Sequence, residues 1–202
     1  IKFIGEQFGA DRIGITGRDK RWDYTEKFSD LSATSKPQAV PDDLPHVIVL
    51  AQAMDYDLLR TVPSALSGAA TGLGYSHDAM VLLGISQYIR NLGYNAIASM
   101  NDTSLAIPYA VKAGLGEYGR HGLLITPEFG PRVRLGKIYT DLPLAHDVPL
   151  QFGVREFCET CRRCADSCPV KAISHGAPTE ATFNQSNIKG VRKWTTDGEK
   201  CF

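Results

Sequence analysis

The sequence has no excess of charge of either sign: 22 basic and 22 acidic side chains cancel to a formal charge of zero. A nucleic-acid binder needs a basic footprint, so polyanionic partners are not expected. Long apolar runs are missing as well. Stretches such as Val47–Ala51 are far below the roughly 18–20 residues that cross a bilayer, and no membrane span is expected. No initiator Met or charged-then-apolar leader stands at Ile1, and the chain stops abruptly at Phe202; the expectation is a fragment. No G-x-G-x-x-G follows a strand and no G-x4-G-K-[ST] occurs, which counts against Rossmann and P-loop nucleotide sites. Internal repeats and low-complexity tracts are absent. Cysteine is absent before residue 158, and all five cysteines follow.

What is present describes a folded chain. With 43% hydrophobic and 22% charged residues the composition is near the globular average, and 202 residues suit one or two domains of roughly 100–200 residues each. Residues 1–17 read as a short amphipathic helix with Ile1, Ile4 and Phe8, then a strand at Arg12–Thr16 after the Gly9-Ala10-Asp11 turn. Residues 18–45 are polar and loop-like, punctuated by Pro37, Pro41 and Pro45. The β-branched run from His46 to Met54 predicts a buried strand. Val81, Leu82, Ile85, Tyr88, Ile89 and Leu92 recur at helical spacing, with Ser76 as N-cap, Asp78 in the first turn and Gly93 as the stop. Strands are expected at Ala96–Met100, Leu123–Thr126 and Val133–Tyr139, and a helix near Ser104–Lys112. The turn Glu128-Phe-Gly-Pro131 predicts that the last two strands form an antiparallel hairpin. The fold class is α+β. The proline-bearing segment Asp141–Pro149 marks a boundary, with one domain over 1–150 and a cysteine-rich one over 151–202.

The cysteines carry the strongest signal. Cys158, Cys161, Cys164 and Cys168 form C-x2-C-x2-C-x3-C followed by Pro169. In two-cluster ferredoxins this run gives three thiolates to one 4Fe-4S cluster and the fourth to another, so two clusters are predicted. Structural zinc and a disulfide pair are the competing readings. Two clusters, each held by four thiolates, call for eight in all, and the chain holds five. Isolated Cys201 is the candidate companion of Cys168 in the second cluster; the alternative is a buried free thiol. Small residues gather at Ser67–Gly74 and Ala113–Gly116, where backbone could lie against a large flat ligand or simply turn.

The order of motifs is distinctive: Tyr75-Ser-His-Asp-Ala, Met100-Asn-Asp-Thr-Ser, the run from Ala113-Gly-Leu-Gly-Glu-Tyr-Gly-Arg120 to Thr126, Gly130-Pro-Arg-Val-Arg-Leu-Gly-Lys137, then the cysteine run. Over nearly the whole chain this order resembles the corrinoid-dependent reductive dehalogenases, and among them the members acting on tetrachloroethene. The resemblance implies a nitroreductase-like core holding a base-off cobamide without a protein ligand to cobalt, followed by a truncated ferredoxin-like domain with two 4Fe-4S clusters. No D-x-H-x-x-G motif is present and none of the five histidines is singled out by its surroundings, which agrees.

Carried onto this chain, the resemblance implies Tyr75 as proton donor, Arg134 as its neighbouring cation and Asn101 as a halide-pocket amide, with Thr71, Met100, Gly130 and Leu135 toward the cofactor. The chemistry is coherent, because replacing carbon–halogen by carbon–hydrogen needs two electrons and a proton, and a guanidinium stabilises the phenolate that a tyrosine becomes. Without the resemblance, Arg134 reads as a solvated strand arginine, Tyr75 as a core aromatic and Asn101 as a turn residue before a helix. The implied partners are a small organohalide and a membrane-associated electron donor or anchor protein, with a homodimer also admitted. The implied location is the outer face of the cytoplasmic membrane, reached through a twin-arginine leader. Two rivals stand beside this reading. One is an epoxyqueuosine reductase-like enzyme using Asp102 as its acid; the other is a non-catalytic ferredoxin-type electron carrier.

Overall fold

The run at 46–53 does what its β-branched composition dictates. β4 (His46–Ala53) is buried from Val47 to Gln52 and lies inside a four-stranded antiparallel sheet. Its neighbours are β1 (Arg12–Gly17), in register Arg12↔Ala51, and β8 (Val133–Thr140), in register Ala53↔Val133 through His46↔Thr140. β5 (Ala96–Ser99) closes the far edge on β8, giving the order β1-β4-β8-β5. The structure, a computed structural model, describes residues 1–29, 32–38, 40–183 and 189–201.

Two helices cover one face of the sheet and one the other. Alternation sends Ile48, Leu50 and Ile138 toward α3 (Ala65–Asn91), where they meet Val81, Leu82, Ile85 and Ile89. Each of these fully buried side chains contributes about 1.5–3 kcal/mol by leaving water. The short α1 (Lys2–Gln7) packs beside them, with Ile1 against the same cluster. On the opposite face α4 (Ala106–Lys112) brings Tyr109 edge-on to Tyr139, centroids 6.3 Å apart. Gly14 has to be glycine, because a Cβ there would run into the Ala113 carbonyl at the end of α4.

The mixed α and β content agrees with the expectation, and three local expectations are corrected. α3 does not begin at Ser76. Its N-cap is Ser64, twelve residues earlier, whose hydroxyl accepts from Ser67 N at 3.3 Å while Ser67 Oγ accepts from Ser64 N, a reciprocal cap. The small residues of 67–74 are therefore helix rather than loop. In the polar stretch 18–45, β2 (Glu26–Ser29) and β3 (Thr34–Pro37) pair as a hairpin that no apolar alternation announces. Between β4 and α3 the chain makes one short turn of helix, α2 (Tyr56–Leu59). The expected hairpin around Glu128–Pro131 does not join its two strands. β7 (Leu124–Ile125) pairs with β6 (Glu117–Tyr118), while β8 is taken up between β4 and β5. The turn itself closes, through reciprocal backbone bonds between Thr126 and Gly130 of 2.9 and 3.0 Å. The apolar half of β8 finds more burial in the large sheet than a two-stranded ribbon can offer.

The chain divides into two units, Ile1–Leu115 with Arg132–Pro149, and Gly116–Pro131 with Leu150–Phe202. The second unit thus gathers an earlier segment with the cysteine-rich tail. Its helices are short: α5 (Val154–Cys161), α6 (Arg163–Ser167) and α7 (Gly198–Cys201). Arg162, in the left-handed region at φ 52°, breaks α5 from α6. Among the described residues no helix is long and apolar enough to cross a membrane.

Candidate active site and cysteine loop

β5 ends at Ser99, opposite Lys137, so residues 133–136 of β8 extend past its edge. The chain leaving β5 turns through Asn101 at that place, and α3 passes Tyr75 over it. The three meet. The Arg134 guanidinium lies over the Tyr75 ring, 3.6 Å from its centroid, and Asn101 Nδ2 donates to the Tyr75 hydroxyl oxygen at 3.0 Å. A cleft of about 510 Å³ opens beside them, lined by Tyr75, Ala79, Leu82, Leu83, Ala98 and the turn from Ser99 to Asp102. Tyr75 remains 37% exposed, so its hydroxyl is reachable. Gly74 makes the approach possible, since a Cβ would stand 2.9 Å from Arg134 Cγ.

This arrangement suits proton donation. An amide N–H spent on the phenol oxygen leaves the phenol's own proton free, and it stabilises the charge that remains once the proton is gone. A guanidinium over the ring acts in the same sense.

The turn carrying Asn101 is held from below. Lys137, fully buried on β8, donates through Nζ to the Met100 carbonyl and, at 3.3 Å, to the Ser104 carbonyl. Burial pushes its ammonium down to about 8. Asp102, the acid required by the epoxyqueuosine reading, accepts from Ser99 Oγ at 3.2 Å and Met100 N at 3.1 Å. Its carboxylate caps its own turn.

The remaining expected residues distribute as follows. Met100 lines the cleft. Thr71 lies one helical turn before Tyr75, with its hydroxyl donating to Ser67 O at 3.2 Å. Leu135 projects from the face of β8 opposite to Arg134. Gly130 sits at φ 57° in the Thr126–Gly130 turn of the second unit. Gly68 and Gly72 would each carry a Cβ into open space, so this exposed stretch of α3 presents bare backbone that a broad flat cofactor such as a corrinoid could approach closely.

In the second unit Cys158, on α5, is buried against Val154 of the same helix and against Trp194, Cys161 ends α5, Cys164 lies on α6 and Cys168 follows it. Cys201 is exposed on α7, which removes the alternative of a buried free thiol. Among the described residues no three His, Cys, Asp or Glu side chains converge as ligands of one ion. Two features nonetheless suit an anionic cluster. Ala172 N donates to Cys168 Sγ at 3.3 Å, and the backbone N–H groups of residues 170–173 hold that thiol below its ordinary range, led by Ala172. Arg120, 2% exposed, is paired with no carboxylate among the described residues. It donates to Cys158 O at 2.8 and 3.0 Å, to Ser174 O at 2.8 Å and to Gly176 O at 2.9 Å, and lies over the Trp194 ring at 4.6 Å. A buried cation without a counter-charge calls for a negative neighbour.

Sequence reasoning missed Arg120, Lys137 and the buried Asp78. Arg120 and Lys137 lie within the motifs that carry the resemblance and Asp78 reads as a first-turn acid, so no local signal marks them as buried.

A family model described as reductive dehalogenase subunit matches residues 27–144. A tetrachloroethene reductive dehalogenase of Desulfitobacterium hafniense is 39% identical over 239 residues, covering all of this chain and 43% of that protein. One of Sulfurospirillum multivorans is 36% identical over 226 residues, covering all of this chain and 45% of that protein. The chain thus spans less than half the length of these curated relatives. A solved reductive dehalogenase, discussed in terms of B12-dependent dehalogenation, superposes with a TM-score of 0.82 at 28% identity over 98% of this chain and 28% of its own. An epoxyqueuosine reductase of Streptococcus thermophilus shares the fold alone, with a TM-score of 0.56 at 18% identity over 86% of this chain and 52% of its own. On the family match and the whole-chain identities, the chain belongs to the reductive dehalogenases.

Proposed function

We propose that the protein carrying this chain reduces a small organohalide, with a chlorinated ethene as the substrate class. The balance is R–X plus two electrons plus one proton giving R–H and halide. The observation that carries the reading is the convergence of Tyr75, Arg134 and Asn101 at the mouth of a largely apolar cleft. Tyr75 gives its proton to the reduced carbon, Arg134 and Asn101 hold the charge left on its oxygen, and the Asn101 amide faces departing halide. The names of the relatives at 36% and 39% identity support the chlorinated ethene.

Bound, a corrinoid would supply the two electrons of the reduction, and two 4Fe-4S clusters would pass electrons to it; that the corrinoid is base-off follows from the family resemblance alone. The bare backbone of α3 at Gly68 and Gly72, with Thr71 and Met100, would hold the corrinoid in the first unit. Leu135 and Gly130 belong to this proposal only through the family resemblance. Cys158, Cys161 and Cys164 would hold one cluster and Cys168 with Cys201 part of the second, in a ferredoxin-like domain; Arg120 and the amides around Cys168 support that assignment. Export by a twin-arginine leader, a membrane-associated electron donor and a homodimer complete the reading on family resemblance alone.

Tyr75→Phe in the holoenzyme is the test. It keeps the ring under Arg134 and removes only the hydroxyl. Corrinoid and iron are expected to stay bound while turnover falls by about 10²–10⁴-fold, the usual loss with an acid catalyst. Wild-type dechlorination by this variant, with full cofactor, would refute the role.

A further inference from the structure

Asp78 has no part in the chemistry above, and its placement is costly. It lies one turn beyond Tyr75 on α3, 2% exposed, with Oδ1 lacking any hydrogen-bond partner. A buried carboxylate without donors is unfavourable. The sheet makes room for it: a Cβ on Gly136 would stand 2.5 Å from Asp78 Oδ1. Arg134 is two residues before Gly136 on the same face of β8. It has no carboxylate within ion-pair distance among the described residues, and its guanidinium lies on the Tyr75 ring instead. Across the ladder from Arg134, buried Gln52 also has both amide atoms unpartnered.

One guanidinium therefore acts on two groups, the phenol it covers and a carboxylate that feels its charge without pairing with it. We propose that Asp78 is a positioning residue that sets how much of the Arg134 charge is available to Tyr75. Neutral Asp78 leaves the guanidinium to stabilise the phenolate. Ionised Asp78 draws on the same cation and holds Tyr75 back. The inference rests on Tyr75 being the proton donor.

The charged groups acting on Asp78 are Arg134 and Lys137 on β8 and His77 beside it on α3. Burial outweighs all three and pushes its carboxyl up to about 6. Raised above the unfolded value of 3.8, the group adds stability that is complete below that value and lost as pH rises through about 6.

The holoenzyme is assayed from pH 5 to 8 beside Asp78→Asn and Tyr75→Phe, with thermal midpoints of the wild type and Asp78→Asn followed over pH 4 to 8. Wild-type kcat is expected to fall about tenfold as pH rises through the Asp78 range, the effect of one charge across a partly screened interior, with KM unmoved. In Asp78→Asn the fall is expected to vanish, and the midpoint is no longer expected to drop between pH 4 and 6. Asp78→Ser, smaller and also uncharged, is expected to behave alike and replaces the amide variant if that one does not fold. A fall that persists in the uncharged variants overturns the inference, and so does an unchanged pH slope of the midpoint. Loss of turnover at every pH with corrinoid and iron retained also overturns it, because Asp78 would then be a source of protons. Wild-type turnover by Tyr75→Phe removes the donor reading and this inference together, whereas an inactive Tyr75→Phe beside a persisting fall removes the inference alone.

Discussion

The two units are held together by different means. In the first, a sheet whose central strand is fully buried from Val47 to Ala51 meets a helix through Val81, Leu82, Ile85 and Ile89, and apolar contact does most of the work. In the second, the described apolar cluster is Val154, Cys158 and Trp194 with Ile125 against it. Leu124, Ala165 and Ala172 are also buried there, beside strands of two residues and a buried arginine tied to three carbonyls. If the second unit holds the clusters proposed above, it should behave as small metal-dependent domains do and draw stability from them. The first unit is expected to tolerate loss of its cofactor, the second to depend on its own.

Removing a cluster ligand should therefore give the largest effect. Cys158→Ala in the holoenzyme is expected to cut iron content by about half and to raise amide exchange throughout residues 150–183, leaving β4 and α3 protected. Unchanged iron would erase the contrast between the units. Arg120→Met comes next, because it strands the buried Cys158 carbonyl, at a cost of about 1–3 kcal/mol, and frees the part-buried carbonyls of Ser174 and Gly176 as well. Its unfolding should be confined to the second unit, and equal loss of protection in β4 would show that the units unfold together. Lys137→Met acts inside the first unit, freeing the carbonyls of Met100 and Ser104. Protection of the amides of 100–104 should fall by about 1–3 kcal/mol while the sheet keeps its own. Ser64→Ala is the smallest, about 1 kcal/mol from the lost cap. A midpoint unchanged by it would mean that the first turns of α3 draw no stability from their cap.

The same contrast governs what could be read from the sequence. Where burial is continuous, pattern sufficed: β1, β4, β5, β8 and the second half of α3 lie within a residue or two of their expected positions. The start of α3 was hidden, because Gly68, Gly72 and Gly74 each lower helix propensity by about 1 kcal/mol and so imitate a loop. Gly74 is kept for the approach of Arg134, a case of local preference yielding at a site. Tyr75, Arg134 and Asn101 were legible only through the order of family motifs, since nothing in a strand arginine or a turn asparagine announces a partner across the sheet. Asp78, Lys137 and Arg120 were not legible, because burial of a charge is a property of packing that local pattern does not carry.

Tyr75 and Arg134 ride on a long helix and an eight-residue strand whose register with β4 is set along its full length. A slip of one residue would turn Arg134 to the wrong face. The amide rides on the turn between β5 and α4, where chain length is free of any ladder. Replacements around Met100–Asp102 should therefore reshape the mouth of the cleft while the helix and strand keep the proposed donor in place. A breeder of new dehalogenases would search that turn first and leave β8 alone.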